Sequence, residues 1–218
     1  MTARIKIDFV SDVSCPWCAV GLASLESALA RLDGEVEAQI HFQPFELNPD
    51  MPPEGQDTVE RLSRKYGMTP EQVRHNGELI TARGLEVGFT FHMDKRTHTY
   101  NTFDAHRLLH WAGLHGRQLV LKHALLKAYF TDGENPSAHD VLIRLCHESG
   151  LDTEQAREIL DSDKYAADVR AREHFYAQQG ITSVPSIILN DQHLIQGGQA
   201  PEFFERALRQ VAGAVHDA

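Results

Sequence analysis

Cys15-Pro16-Trp17-Cys18 places two thiols two residues apart, at the junction between a strand-like and a helix-like stretch of sequence. The preceding run, Ile5-Lys6-Ile7-Asp8-Phe9-Val10, is typical of a β-strand, and the run from Val20 to Leu32 is typical of an amphipathic helix. A strand, a tight turn and a helix in this order predict the start of a βαβ unit. Two thiols in that turn indicate exchange of electrons with another disulfide.

The residues of the turn predict different roles for the two thiols. Pro16 suits the first position of a helix, since its missing N–H would have no partner there. Cys15 is then the N-cap residue, where a thiolate meets the free N–H groups of Trp17 and Cys18. The helix macrodipole favours negative charge at this place, so the pKa of Cys15 should fall below the free-thiol value of ~8.5. Cys15 is predicted to attack, and Cys18, one turn further on the same face, to resolve.

The same cysteine spacing also occurs in zinc sites, where a structural ion needs four ligands. No second Cys-x-x-Cys occurs, Cys146 stands alone, and none of the 13 histidines has a finger-like spacing from the motif. His106 and His110 lie four residues apart, but the acid of a His-Glu-x-x-His motif is missing between them. Packing or polar contacts are the preferred interpretation of both histidines, and no metal is expected.

Two further residues, Asp12 and Cys146, are interpreted as structural rather than functional. Asp12, three residues before Cys15, is interpreted as a loop residue in water. Cys146 is interpreted as a small apolar residue buried on a helix. Simple burial would also account for Cys15 and Cys18, but a proline between them at a strand-to-helix junction favours redox chemistry.

Charge and composition exclude several kinds of partner. A net charge of −10 over 218 residues disfavours nucleic acid, which needs a clustered basic face, and an anionic membrane surface. No apolar run approaches ~18 residues, so no membrane-spanning helix is expected. The N-terminal residues lead directly into the first strand, without the apolar core of a signal peptide. A cytoplasmic location is expected, where three cysteines indicate catalysis or redox sensing rather than a disulfide framework.

The order of strand-like and helix-like stretches divides the chain into two parts. Residues 1–55 and 180–218 hold a βαβ unit, a hairpin around Asn190-Asp191 and a last helix. Residues 56–179 are helical in pattern and too long for a loop, so they are predicted as an all-helical insertion. This order predicts an α/β thioredoxin fold with a large helical insertion between its two halves.

Two short motifs in the C-terminal part are candidates for substrate binding. Val184-Pro185 begins a predicted strand, a place where proline removes only a terminal ladder donor. An X-Pro bond is usually trans, so the residues alone support the trans form. Gly198-Gln199, before the last helix, either offers backbone N–H groups to an anion such as a substrate carboxylate or is an ordinary turn. The two interpretations have equal weight.

Four stretches of the chain together resemble one known family, the DsbA-type thioredoxin-fold proteins, and specifically their cytosolic FrnE-like branch. The resemblance spans nearly the whole chain and implies thiol–disulfide exchange, with chaperone-like binding of unfolded chains as a further expectation. It implies that the Val184–Pro185 bond is cis and faces the cysteines, leaving the backbone there free to pair with a substrate that also contacts Trp17. The matching stretches are Ser11-Asp12-Val13-Ser14-Cys15-Pro16-Trp17-Cys18, Asn101-Thr102-Phe103-Asp104-Ala105-His106-Arg107-Leu108, Gly180-Ile181-Thr182-Ser183-Val184-Pro185-Ser186 and Gly197-Gly198-Gln199.

The sequence departs from DsbA itself at Trp17, which takes the place usual for a histidine. Without an imidazolium nearby, the thiolate should be less stabilised and the protein less oxidising, so a reductase or isomerase role is expected in the reducing cytoplasm. The expected partners are a disulfide-containing protein or small-thiol substrate and a cellular reductant. No cofactor is expected to bind tightly, glutathione is a candidate reductant or co-substrate, and a homodimer is left open.

Two alternative functions follow from related features. Kappa-class glutathione transferases and 2-hydroxychromene-2-carboxylate isomerases share this fold and insertion, and the chain resembles them from Asn101 to Leu108. They carry serine at the position of Cys15 and lack the second thiol, so the cysteine pair favours exchange chemistry. A glutathione-dependent transferase or isomerase is the first alternative, and a non-catalytic peptide-binding module with vestigial thiols is the second.

Overall fold

A four-stranded mixed sheet forms the centre of the computed structural model, which describes residues 2–216. Its strands stand in the order β2-β1-β5-β6. The strands of the central sheet are β1 (Ala3–Ser11), β2 (Val36–Pro44), β5 (Ser186–Leu189) and β6 (His193–Gln196), and a separate pair consists of β3 (Gln56–Asp57) and β4 (His98–Thr99). The helices are α1 (Pro16–Arg31), α2 (Thr58–Tyr66), α3 (Pro70–Glu86), α4 (Phe103–Leu114), α5 (Gln118–Lys127), α6 (His139–Glu148), α7 (Thr153–Leu160), α8 (Ala166–Gln178) and α9 (Pro201–His216), with a π-helical turn at Ala128–Asp132.

Strand pairing confirms the predicted thioredoxin fold. Strand β1 pairs in parallel with β2 across the connection made by α1, which completes the βαβ unit. On its other side β1 pairs antiparallel with β5, and β5 pairs antiparallel with β6. Asn190 and Asp191 form the tight turn of this hairpin with φ angles of 49° and 57°, a left-handed conformation that these two residue types tolerate.

The segment between β2 and β5 is mostly helical, and local capping explains where several of its helices begin. The Asp57 side chain accepts a hydrogen bond of 2.9 Å from the N–H of Glu60 at the start of α2. Thr69 and Gln72 form a reciprocal capping box at the start of α3, with Pro70 in its first turn.

The domain boundaries at 55/56 and 179/180 stay a prediction. The structure shows where the sheet and the helices lie, but it does not test whether the two parts are independent domains.

The helical insertion predicted for residues 56–179 is present, and the structure adds one short pair of strands to it. Strands β3 and β4 pair antiparallel there, with Gln56 opposite Thr99 and Asp57 opposite His98. The chain returns beside α2 after a non-helical stretch, and the N–H of Thr58 donates to Thr97 O at 2.9 Å. A ladder of two residues per strand is too short to produce an alternating pattern in the sequence, so only the tertiary fold shows it.

Two large apolar clusters meet at the loop that carries the cysteines. The first lies between the sheet, α1 and α9, and includes Phe9, Cys18 and Phe204. The second fills the space among α4, α5, α6 and α7 around Trp111. Val13, in the loop between β1 and α1, is fully buried and belongs to the second cluster. The cysteine loop is therefore held by both halves of the molecule.

Helix α5 is attached to the edge of the central sheet by one side chain. Gln118 accepts a hydrogen bond of 2.8 Å from the N–H of Phe42 and donates one of 3.0 Å to the carbonyl of Phe42. Strand β2 stands at the edge of the sheet, so these outward backbone groups have no neighbouring strand. The paired amide contacts fix how α5 lies on β2.

Among the described residues, no helix is both long enough and apolar enough to span a bilayer.

Candidate active site

Cys15 lies at the N-terminus of α1, as the turn residues predict. Its backbone is extended, with φ −94° and ψ 113°, and Pro16 occupies the first helical turn. The N–H of Cys18 donates to Cys15 O at 3.1 Å, which closes the turn and places the second thiol deeper along the helix. Within the described chain, Cys15 Sγ makes no capping hydrogen bond of ordinary geometry, but the N–H groups of Trp17 and Cys18 lie near enough to lower the pKa of Cys15.

The Val184–Pro185 peptide bond lies beside Cys15 and is cis, the form that the family resemblance implies. Cys15 Sγ donates to Val184 O over 3.7 Å, a contact between residues 169 positions apart. Only 4% of Cys15 is exposed, whereas Trp17 is 39% exposed and lies on the outer side of the same turn. The structure thus brings together the cysteine motif and the proline motif that the sequence separates.

The environments of the two thiols differ strongly. The pKa of Cys15 is lowered, chiefly by the Cys18 thiol as hydrogen-bond donor, while burial acts in the opposite direction and the N–H groups of Cys18 and Trp17 assist. The pKa of Cys18 is raised well above its ordinary value, chiefly by burial, and Cys18 has no exposed surface. A thiolate therefore forms more easily at Cys15 than at Cys18.

Cys146 is separate from this pair, within the second apolar cluster. All three cysteines are free and buried. Burial raises the pKa of Cys146 to about 12. Since the thiolate is the reactive form, this supports the interpretation of Cys146 as a structural residue.

Gly198 and Gly21 allow three segments to pack closely at the site. A Cβ placed on Gly198 would lie 2.9 Å from Trp17 O, and one placed on Gly21 would lie 3.2 Å from Pro185 Cγ. The loop before α9, the first turns of α1 and the cis proline therefore approach too closely for larger residues. Close packing therefore explains why position 198 holds glycine, and binding of a ligand there is not needed to explain it.

Gln199 is engaged within its own turn. Its N–H donates to Gly197 O at 3.0 Å and its side-chain Nε2 donates to Gln196 O at 2.8 Å. The N–H of Gly197 donates to Pro185 O at 2.9 Å, which ties this turn to the cis proline. Substrate binding by Gly198 and Gln199 stays a prediction, because these contacts explain their positions as ordinary turn chemistry.

The interpretation of Asp12 as a loop residue in water was wrong. Asp12 is fully buried, and it accepts hydrogen bonds from the N–H of Leu47 at 2.7 Å, from Ser14 Oγ at 3.0 Å and from the N–H of Ser14 at 3.2 Å. Burial by itself raises the pKa of Asp12, but the nearby His106 ring and the backbone donors outweigh it and lower the pKa to about 2. Sequence reasoning missed this carboxylate because Leu47 and His106 come from distant segments.

His106 and His110 have separate partners, which is in line with packing and polar contacts. His106 Nε2 lies 3.1 Å from Phe45 O and 3.6 Å from Asp12 Oδ1, so its ring links α4 to the cysteine loop. The ring of His110 lies 5.2 Å from that of Tyr165, measured between centroids. Among the described residues, no group of three or more metal-ligating side chains could hold an ion.

Lys122 is a buried residue near the site that sequence reasoning missed. It is 1% exposed, and its Nζ lies 5.5 Å from the centroid of the Phe42 ring. It follows Gln118 by one helical turn on the face of α5 that meets β2, and Leu125, three residues later, is also buried. Its position on this apolar face was the available signal, but a lysine on a helix is normally expected in solvent.

Comparison with known proteins shows which family has this fold. The family of DSBA-like thioredoxin domains matches residues 6–209. The probable DsbA oxidoreductase SCO1869 from Streptomyces coelicolor is 35% identical and superposes with a TM-score of 0.88, covering 96% of this chain and 90% of that one. Two more distant structures share the fold. One is 2-hydroxychromene-2-carboxylate isomerase, which is 14% identical with a TM-score of 0.71, covering 97% of this chain and 98% of that one. The other is the cytosolic disulfide reductase DsbM from Pseudomonas aeruginosa with GSH, which is 17% identical with a TM-score of 0.63, covering 94% of this chain and 98% of that one.

Proposed function

This chain belongs to the family of DsbA-like thioredoxin domains, and we propose that it is a thiol–disulfide oxidoreductase whose working groups are the thiols of Cys15 and Cys18. One observation carries the proposal. Cys15 lies at the N-terminus of α1 with a lowered pKa, facing Val184 O at the cis bond, while Cys18 lies fully buried one turn deeper. This arrangement supplies one thiolate for attack and a second thiol that only the first can meet.

In the reducing direction, the reaction has two displacement steps. The Cys15 thiolate attacks one sulfur of a substrate disulfide, the disulfide breaks, and the other substrate sulfur leaves as a thiolate. Cys18, once deprotonated, attacks Cys15 Sγ. The Cys15–Cys18 bond forms, the mixed disulfide breaks, and the second substrate sulfur leaves as a thiolate. Two electrons pass from the cysteine pair to the substrate, and a reductant must return them.

The surface around Cys15 supports a substrate that is extended and partly apolar. Val184 is half-buried beside the cis bond, and the exposed part of Trp17 offers an apolar surface next to the attacking sulfur. A protein disulfide or a small thiol disulfide would pair with the backbone at Val184 and rest against Trp17 and Pro185. Chaperone-like binding of unfolded segments would use the same surface.

We also propose that glutathione is the reductant or co-substrate and that the protein works in the cytoplasm. The solved structure of the cytosolic disulfide reductase DsbM with GSH supports both points by analogy of fold. Tryptophan at position 17 supports the reducing direction, because no imidazolium stabilises the Cys15 thiolate from that position.

A glutathione-dependent isomerase or transferase is the rival function. It is favoured by the shared fold of 2-hydroxychromene-2-carboxylate isomerase. Enzymes of that class, however, carry serine at the position of Cys15. The redox function is preferred because this chain has both thiols at the site.

Redox equilibration tests the proposal directly. The protein is incubated in graded glutathione buffers, quenched with an alkylating agent and analysed by mass spectrometry, alongside Cys15→Ser, Cys18→Ser and the control Cys146→Ser. We expect a single two-thiol transition in the wild type and in the Cys146 variant, and its loss in the other two. A wild-type protein that forms only a glutathione adduct or stays unmodified contradicts the proposal and favours the isomerase or transferase.

A further inference from the structure

The resolving step requires Cys18 to lose a proton in a place that water does not reach. Cys18 has no exposed surface, and burial holds its pKa well above the ordinary thiol value. A thiol in that state is a poor nucleophile, because the thiolate is the attacking form. A nearby basic group would remove this obstacle.

Lys122 is buried against the apolar cluster that contains the two cysteines. Gln118 holds α5 on Phe42, and Lys122 follows one turn later with its Nζ 5.5 Å from the centroid of the Phe42 ring. The Phe42 ring lies 5.6 Å from that of Phe9, and both rings belong to the cluster that contains Cys15 and Cys18. The amine therefore lies against the apolar cluster that encloses the cysteine pair, near enough for its charge to act on Cys18.

The Lys122 amine has no hydrogen-bond partner among residues 2–216. Two other lysines of the described chain have acidic partners: Lys6 Nζ lies 2.9 Å from Asp8 and Lys127 Nζ lies 2.6 Å from Asp132. A buried, unpaired ammonium is costly unless it loses its proton or meets an anion. Burial accordingly lowers the pKa of Lys122, and the attraction of its charge to a thiolate at Cys18 opposes that effect.

A cavity of about 200 Å³ connects this region with the surface. It is lined on the inside by Lys122, Ser11 and His106, and further out by His41 and Arg172. A polar cavity of this size is suited to water, and a water there would carry a proton from Lys122 to solvent without crossing the substrate surface.

From these contacts we propose that Lys122 takes the proton of Cys18 when Cys18 resolves the mixed disulfide, a role that rests on the proposed oxidoreductase function. The neutral amine accepts the Cys18 proton, the Cys18 thiolate attacks Cys15 Sγ, and the electron pair of the broken bond leaves on the substrate sulfur. The ammonium then returns its proton to cavity water. In the opposite direction the same ammonium protonates Cys18 as the disulfide opens. Lys122 acts through Cys18 and is a positioning residue rather than one that touches the substrate.

The other titratable groups that face this region serve the role less well. Asp12 is occupied by three donors, and its pKa of about 2 keeps it ionised and a weak base at neutral pH. His106 Nε2 is directed to Phe45 O and lies 3.6 Å from Asp12. Cys15 is the bond partner in the step itself, and His41 lines the cavity further out.

The experiment compares wild type, Lys122→Met and the matched control Lys127→Met, which removes an exposed amine from the same helix. Each protein is mixed with oxidised glutathione, quenched with acid and alkylated at short times, and analysed by mass between pH 6 and pH 9. We expect the glutathione adduct on Cys15 to form at wild-type rate in all three. In Lys122→Met its conversion to the Cys15–Cys18 disulfide should slow about 100-fold, with a pH profile shifted upward.

The outcomes separate the two proposals. If the wild type never converts its adduct to a disulfide, the oxidoreductase function fails and this inference fails with it. If the wild type converts and Lys122→Met converts equally fast with the same pH profile, only the role of Lys122 is overturned. If Lys122→Met does not fold, Lys122→Gln replaces it, and the wild-type Lys122 side-chain resonance is titrated by NMR. A midpoint at or above the ordinary lysine value would then overturn the proposal, and a lower midpoint would support it.

Discussion

Asp12→Asn is the sharpest test of the buried charge near Cys15. One carboxylate oxygen of Asp12 accepts from the N–H of Leu47 at 2.7 Å and from Ser14 Oγ at 3.0 Å, and the other accepts from the N–H of Ser14. An asparagine would present donors at one of these two positions, and it would remove the charge opposite His106. Leaving a buried donor without its acceptor costs about 1–3 kcal/mol, so we expect the variant to lose about 2 kcal/mol of unfolding free energy at pH 7.

The pH dependence of stability gives a second value for the contribution of the Asp12 carboxylate to the unfolding free energy. The pKa of Asp12 is lowered from its ordinary 3.8 to about 2, and each pKa unit corresponds to about 1.4 kcal/mol. Because the folded value is the lower one, the ionised carboxylate stabilises the fold fully above about pH 4 and loses this effect as the pH falls through 2. The shift amounts to about 2 kcal/mol, in agreement with the hydrogen-bond argument.

Urea unfolding at pH 7 and pH 3 measures the loss of unfolding free energy, and the pH dependence of Cys15 alkylation measures the pKa of Cys15. The stability difference between wild type and Asp12→Asn should be smaller at pH 3 than at pH 7. The pKa of Cys15 should fall in the variant, because the negative charge of Asp12 opposes a thiolate there. The exposed Asp33→Asn is the matched control. Equal stability of Asp12→Asn and wild type at pH 7, together with an unchanged Cys15 pKa, would refute the reasoning.

Three further substitutions test the packing and the chemistry of the site. Gly198→Ala forces a Cβ to within 2.9 Å of Trp17 O and should lower the unfolding free energy, measured in urea, by about 1–3 kcal/mol. The control Gly213→Ala, in open space on α9, should raise it by about 0.5–1 kcal/mol. Equal effects of the two substitutions would contradict the steric argument. Gln118→Ala leaves the N–H and carbonyl of Phe42 unpaired and should lower the unfolding free energy by about 1–3 kcal/mol in the same assay. An unchanged unfolding free energy would contradict the role given to Gln118. Trp17→His should raise the reduction potential, by about 30 mV for each tenfold change in the exchange constant with glutathione, and an unchanged or lower potential would count against the role given to Trp17.

The chain order and the local patterns were sufficient to predict the fold class. The alternation in β1, the helical spacing after Cys18 and the Asn190-Asp191 turn are local features, and each appears in the structure where the sequence indicates it. Capping follows the same principle, since Asp57 and the Thr69–Gln72 pair act within a single turn of chain. Local interactions between residues a few positions apart can be read from the sequence because the partners are adjacent in it.

The cysteine pair and its asymmetry were predicted from the same kind of local reasoning. Pro16 sets the start of the helix, and that places Cys15 at the helix N-terminus and Cys18 one turn inside. What the sequence did not supply was the depth of burial. The pKa difference between the two thiols depends chiefly on contact between them and on the apolar cluster that encloses Cys18.

Other parts of the site were decided by tertiary contacts alone. Asp12 and Lys122 look like ordinary solvent-exposed residues in the sequence, yet both are buried, because segments far along the chain close over them. Asp12 obtains its partners from Leu47 and His106, and Lys122 reaches the cysteine cluster where α5 packs on the sheet edge, one turn after the Gln118 contact. Motif spacing therefore predicts which thiols would react, whereas the charges that shift their pKa values arise from burial, and burial is a property of the whole fold rather than of neighbouring residues.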